Sequence, residues 1–184
     1  MTPDPNRIAM WSGPRNLSTA MMYAFAARGD CAVWDEPFYA AYLAATGIDH
    51  PMTAEVIAAG QPDPAKVASA CLGPIPAAQR LFYQKHMTLH MVPAFDRGFM
   101  RGLTNVFLIR HPARVVASYS KKRESPTLAD LGFVQQAELF DQVAQWQGSA
   151  PLVVDSFDIR ANPRDTLTKL CAALNIPFTE AMLK

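Results

Sequence analysis

The chain has 184 residues, half of them apolar, which is enough to bury one sizeable core and too little for two large domains. Seventeen Lys and Arg stand against sixteen Asp and Glu, a formal charge of +1. No global field therefore suggests wrapping nucleic acid or docking on an anionic membrane, and an anion site must be local. Cys31, Cys71 and Cys171 are odd in number and outside any CxxC pair, a usage that suits reduced thiols packed as small hydrophobes. The N-terminus opens Met1-Thr2-Pro3-Asp4-Pro5, and every long apolar stretch is broken by charge or proline. That pattern gives neither a signal peptide nor a membrane span, and the expected location is cytoplasmic.

Ile8-Ala9-Met10-Trp11 is a short apolar run that stops at Ser12-Gly13-Pro14, and Ser18 to Arg28 then runs rich in Ala and Met with no Gly or Pro before Gly29, so the reading is strand, tight loop, helix. A second strand, Cys31 to Trp34, ends at Asp35-Glu36-Pro37, where the proline disfavours helix and leaves the acidic pair at a strand end. Ala40 to Ala78 looks helical in patches and is interrupted by Pro51, Pro62, Pro64, Pro74 and Pro76, as expected of a helical insertion with loops at about 40–80. Leu81 to His86 is a third candidate strand, and Asn105 to Ile109 is a nearly continuous apolar run of the kind a parallel strand buried on both faces shows. A helix is expected near Ala113, another buried strand over Pro151 to Asp155, and a helix from Arg164 to Leu174 after Asn162-Pro163. The alternation predicts a single three-layer α/β domain, a mostly parallel sheet flanked by helices on both faces. Ligands in such sheets sit beyond the carboxyl ends of the strands.

Two segments at such ends carry anion-binding chemistry. Gly13-Pro14-Arg15-Asn16-Leu17-Ser18-Thr19 enters a helix N-terminus, where free backbone N–H groups and the helix dipole favour an anion. Arg15 would neutralise charge, and Ser18 and Thr19 would donate hydroxyl hydrogen bonds; an N-cap by Asn16 or Ser18 beside a surface arginine is the plainer alternative. The loop lacks the Gly-Lys-Ser/Thr ending of a Walker A motif, which counts against a P-loop kinase or hydrolase. Further on, Arg110 stands at a strand end and Ser118 eight positions later in the next helix. They face one another only across a shared anionic ligand or a local contact, unless Arg110 simply pairs with a carboxylate.

Together the two segments resemble the sulfotransferase family, whose loops of the type Pro-Lys/Arg-Ser-Gly-Thr-Thr are similar to Pro14-Arg15-Asn16-Leu17-Ser18-Thr19, with Asn16 and Leu17 departing from Ser-Gly. Asp35-Glu36-Pro37 resembles the Glu-Pro segment of carbohydrate-type members, and Val153 to Phe157, Asn162-Pro163 and Leu174-Asn175-Ile176-Pro177 resemble later family motifs. The resemblance implies a P-loop NTPase-like fold and 3′-phosphoadenylyl sulfate (PAPS) as co-substrate. Gly13 to Thr19 would bind its 5′-phosphosulfate, and Arg110 with Ser118 its 3′-phosphate. It further implies transfer of a sulfonyl group to a hydroxyl or amine of a small-molecule or carbohydrate acceptor, without a metal. Arg15 would stabilise charge on the transferring group.

Two residues compete for the base that takes the acceptor's proton. Glu36 stands at its strand end as in carbohydrate-type members, and His86 resembles the Lys-x-His segment of cytosolic members with the spacing one shorter. Histidine titrates near neutrality, whereas a glutamate works best when burial raises its pKa; the motif position favours Glu36. His86 and His90 would share a face if helical, but a metal site lacks a third ligand. Met21, Met22, Met87 and Met91 are candidates for an apolar acceptor pocket, and Lys121-Lys122-Arg123 for a solvated helix end. Family members commonly continue into a segment that closes over the nucleotide, whereas this sequence stops at Lys184. A non-catalytic nucleotide-binding module of the same fold is the remaining reading.

Overall fold

A computed structural model describes residues 4–48, 50–121 and 127–184. Five strands form one sheet: β1 (Asp4–Ser12), β2 (Cys31–Asp35), β3 (Leu81–Met87), β4 (Leu103–Ile109) and β5 (Leu152–Asp155). Their order is β2-β3-β1-β4-β5 and every pairing is parallel, so the sheet is more uniform than the mostly parallel one expected. Burial on both faces is what makes these strands near-continuous apolar runs: Ile8 to Ser12 and Leu81 to His86 are all buried.

Helix α1 (Ser18–Ala26) connects β1 to β2, and α2 (Tyr39–Thr46), α3 (Thr53–Ala59) and α4 (Pro64–Leu72) fill the interval before β3. Helix α5 (Pro112–Tyr119) follows β4, then α6 (Leu128–Leu131) and α7 (Phe133–Gln147); α8 (Ser156–Ala161) and α9 (Pro163–Ala173) follow β5. On one face of the sheet Ile8, Met10, Tyr83 and Leu108 pack with Met21, Phe25, Leu167 and Leu170. On the other, Trp11 and Phe107 pack with Phe38, Val67, Met91 and Leu139. Met21 and Met22 thus lie in one core layer and Met91 in the other, and the four methionines do not form one acceptor pocket.

Buried polar side chains within the strands need partners. Asn105 accepts from Trp11 Nε1–H at 2.9 Å and donates to the Met100 and Leu103 carbonyls, and Gln84 donates to the Cys71 carbonyl at 2.8 Å. The order also decides where a ligand sits. From central β1 the chain crosses to β2 on one side and, later, from β3 to β4 on the other, which opens a crevice at the carboxyl ends of β1 and β4. Among the described residues no helix is long and apolar enough to cross a membrane.

Candidate functional site

The loop after β1 is held in an unusual shape. Arg15 and Leu17 have φ of 64° and 66°, a left-handed conformation that side-chain-bearing residues seldom adopt and that clusters at functional sites. Leu17 is the N-cap of α1 and no side chain caps that helix, so the plainer alternative of a cap by Asn16 or Ser18 is not made and the first-turn N–H groups stay open. Asn16 is instead buried, its Nδ2 donating to the Leu108 carbonyl at 3.2 Å, and Gln136 from α7 donates to the same carbonyl at 3.0 Å. These bonds moor the loop to β4, which gives the departure at Asn16 a physical purpose. Two buried oxygens beside the loop, Ser12 Oγ and Asn16 Oδ1, have no partner among the described residues.

Gly13 is required by close approach, because a Cβ there would lie 2.7 Å from the Leu131 carbonyl oxygen. Backbone on both sides leaves little room to yield. Gly13→Ala is therefore expected to lower stability by about 1–3 kcal/mol, the usual cost of overpacking, seen as a lower urea midpoint; an unchanged midpoint would mean that the loop relaxes freely.

The two anion segments meet. Arg15 Nε–H donates to Ser118 Oγ at 2.9 Å, and Arg110 Nη1–H donates to the Arg15 carbonyl at 2.6 Å. Arg15 to Ala20, Arg110 and Ser118 line one recess of about 380 Å³ together with Arg160 of α8. Arg110 forms no ion pair with a carboxylate among the described residues. Ser18 is buried and Thr19 exposed in the first turn of α1, and neither Gly13 nor Pro14 lines the recess.

A second polar group stands at the ends of β2 and β3. Asp35 and Lys85 are register partners, and the buried Lys85 ammonium reaches both Asp35 Oδ1 and Glu36 Oε1 at 2.6 Å. Burial alone would push the Lys85 pKa down, but the Glu36 charge and hydrogen bonds to both carboxylates outweigh it and raise the pKa. Glu36 has φ 47°, and its backbone is pinned by Glu36 N–H to the Lys85 carbonyl and by Tyr39 N–H to the Glu36 carbonyl. Its side chain keeps 28 % exposure, so a ligand can reach the carboxylate.

His86 points the opposite way, as the two-residue period of a strand requires for a neighbour of Lys85. Its ring stacks on Trp11 at 4.2 Å, lies beside Phe38, and Nε2 bonds Gln84 Oε1 at 3.2 Å. Burial, and secondarily the nearby His90, pushes its pKa down to about 3. His90 lies in a 3₁₀ turn (Thr88–His90), not on a helix with His86, stacks against Tyr39 and Tyr42, and is likewise pushed down to about 3, chiefly by burial. No group of three or more His, Cys, Asp or Glu able to hold a metal occurs among the described residues. In the basic run, Lys121 is exposed, and Lys122 and Arg123 lie outside the described residues.

Arg160 and Lys85 were not marked as site residues by sequence reasoning. Lys85 carried a signal, since a lysine inside an apolar strand needs a buried counter-charge and Asp35-Glu36 offered one. Arg160 carried none, because its position depends on how α8 packs.

A family model described as "Sulfotransferase domain" matches residues 6–184. Two curated proteins of Arabidopsis thaliana are similar: "Branched-chain-amino-acid aminotransferase-like protein 1", 34 % identical over 98 % of this chain, and "Branched-chain-amino-acid aminotransferase-like protein 2", 33 % identical over 96 %. The chain spans about a third of the length of these relatives, 32 % and 31 %. Among solved structures, the sulfotransferase domain of the Synechococcus PCC 7002 olefin synthase aligns with a TM-score of 0.62 at 19 % identity, covering 99 % of this chain and 77 % of that one. The sulfotransferase domain from the curacin biosynthetic pathway aligns at 0.64 and 16 %, covering 99 % and 78 %. Mouse sulfotransferase SULT7A1 complexed with PAP aligns at 0.54 and 11 %, covering 100 % and 63 %. The structures share the P-loop-like fold, and the family match over nearly the whole chain adds the sequence evidence: this chain belongs to the sulfotransferase domain family.

Proposed function

We propose that the chain transfers a sulfonyl group from PAPS to a hydroxyl or amine of an acceptor. The observation that carries this is the contact of Arg15 with Ser118 and of Arg110 with the Arg15 carbonyl. It places two cationic segments, far apart in sequence, around one recess sized for a nucleotide's phosphates. The open first turn of α1, the guanidinium groups and the unpartnered Ser12 hydroxyl, a free donor, suit a ligand rich in anionic oxygens. The mouse sulfotransferase of the same fold is complexed with PAP, which supports the donor class.

In this reading Arg15 and the residues from Gly13 to Thr19 orient the 5′-phosphosulfate, and Arg15 stabilises charge as the S–O bond to the leaving phosphate breaks. Arg110 and Ser118 hold the 3′-phosphate. Catalysis rests on positioning and charge stabilisation, as in phosphoryl transfer. Glu36 takes the acceptor's proton: its carboxylate is accessible and clamped in one orientation by Lys85. It ends the strand two positions from β1, about 10 Å away at ordinary strand spacing, which leaves room for an acceptor between base and loop. His86 is enclosed between Trp11 and Phe38, and serves the core.

Calorimetric titration with adenosine 3′,5′-bisphosphate, AMP and ATP tests the donor. The wild type is expected to prefer the bisphosphate, and Arg110→Ala to weaken it about 10–100-fold, the value of one charge-assisted contact. Binding of ATP alone would support a P-loop kinase or hydrolase instead. Tight bisphosphate binding with no transfer to any acceptor would support a non-catalytic module.

A further inference from the structure

The recess of about 380 Å³ adjoins a second one of about 180 Å³ between the end of β4 and α8. Arg110 and Arg160 line both. Across the two linings stand four guanidinium groups, Arg15, Arg110, Arg114 and Arg160, and one carboxylate, Asp155. Asp155 Oδ1 is already engaged, accepting from Phe157 N–H at 2.8 Å as the cap of α8. This imbalance is local, since the chain's formal charge is only +1. Four arginines elsewhere are matched one to one, Arg7 with Asp4, Arg28 with Asp30, Arg97 with Glu138 and Arg164 with Glu180, while Arg80 and Arg101 stand apart from one another and Arg101 lies over the Trp146 ring.

The four cations differ in what they already do. Arg15 bonds Ser118, Arg110 bonds a carbonyl, and Arg114 lies over the Phe157 ring at 5.3 Å. Arg160 has no hydrogen bond, ion pair or ring contact among the described residues, and it is exposed at the wall common to both recesses. Like charges gathered without counter-charge repel one another, and a doubly charged oxyanion between them removes that cost.

Resting on the donor reading above, we infer that Arg160 is a further donor-binding residue, which with Arg110 and Ser118 grips the phosphate on the ribose 3′ position. It thereby makes the site select nucleotides phosphorylated at both 3′ and 5′ over those phosphorylated at 5′ alone. A planar guanidinium from each side gives bidentate contact to the terminal phosphate oxygens, which a lysine reproduces only as a point charge.

Titrations of the wild type, Arg160→Ala and Arg160→Lys with adenosine 3′,5′-bisphosphate and with AMP separate the possibilities. Arg160→Ala is expected to weaken the bisphosphate about 10–100-fold and AMP by less than about threefold, with Arg160→Lys between wild type and Ala. The exposed, unpartnered side chain makes an unchanged thermal midpoint the expected control. No loss, or an equal loss for both nucleotides, would overturn the role of Arg160 while leaving the donor reading standing. A wild type that does not distinguish bisphosphate from AMP would overturn both.

Discussion

Glu36→Gln is expected to lower the rate of sulfonyl transfer by about 10²–10⁴-fold, the usual contribution of a positioned general base, while the affinity for adenosine 3′,5′-bisphosphate stays close to that of the wild type. The amide keeps the size of the side chain and an oxygen able to accept from Lys85 Nζ, now 2.6 Å from Glu36 Oε1. The second carboxylate on that ammonium, Asp35 at 2.6 Å, remains, so Lys85 is not stranded as an unpaired buried charge. What disappears is the proton acceptor. The strained backbone at Glu36, φ 47° and bonded on both sides, argues that its orientation has a use, since such conformations persist only where surroundings enforce them. Single-turnover transfer to a hydroxyl or amine acceptor, measured beside nucleotide titration, reads the two effects apart. An unaltered transfer rate would remove Glu36 as the base, and a parallel loss of nucleotide affinity would show that the substitution had disturbed the loop instead.

Much of this site could be read from the sequence because it lies where strands end. Asn105 to Ile109 announces a buried parallel strand by an almost unbroken apolar run, and the next residue, Arg110, then falls at its carboxyl end without further information. The same logic places Gly13 to Thr19 after β1 and Glu36 after β2. Residues 124–150 receive no element from sequence, yet α7 spans Phe133–Gln147. Its core face includes Gln136 beside Leu139 and Val143, and a polar side chain at a core position breaks the apolar spacing that marks a helix. That glutamine is buried because it serves the Leu108 carbonyl, a tertiary demand invisible to local pattern. Arg160 is hidden for the same reason. His86 shows what the shortened spacing means: a Lys-x-His segment keeps both side chains on one face of a strand, whereas the adjacent Lys85 and His86 point to opposite faces, so Lys85 meets Asp35 and Glu36 while His86 stacks on Trp11 in the core.

Placing His86 and His90 in the core has a measurable consequence in acid. Both rings are buried, and both pKa values are pushed down to about 3, first by loss of solvation; His86 also feels His90, while His90 feels Lys85 and His50. In the unfolded chain each imidazole titrates near 6.5. Between about pH 6.5 and pH 3 the unfolded chain binds protons at these positions that the folded chain does not, so stability is full above pH 6.5 and falls as pH falls. Two such groups give a slope of about 1–3 kcal/mol per pH unit near pH 5, large beside the total stability of an ordinary domain. Urea unfolding at pH 7, 6 and 5 measures it. The double variant His86→Phe/His90→Phe keeps aromatic rings against Trp11, Tyr39 and Tyr42 and removes both titrations, so its stability should vary much less over the same range. Carboxylates in ion pairs also lose stability in acid, but they do so mainly below pH 5, where their protonation begins. A wild-type curve that stays flat from pH 7 to pH 5, or a double variant as steep as the wild type, would mean that these imidazoles are solvated and that His86 is again available as a base.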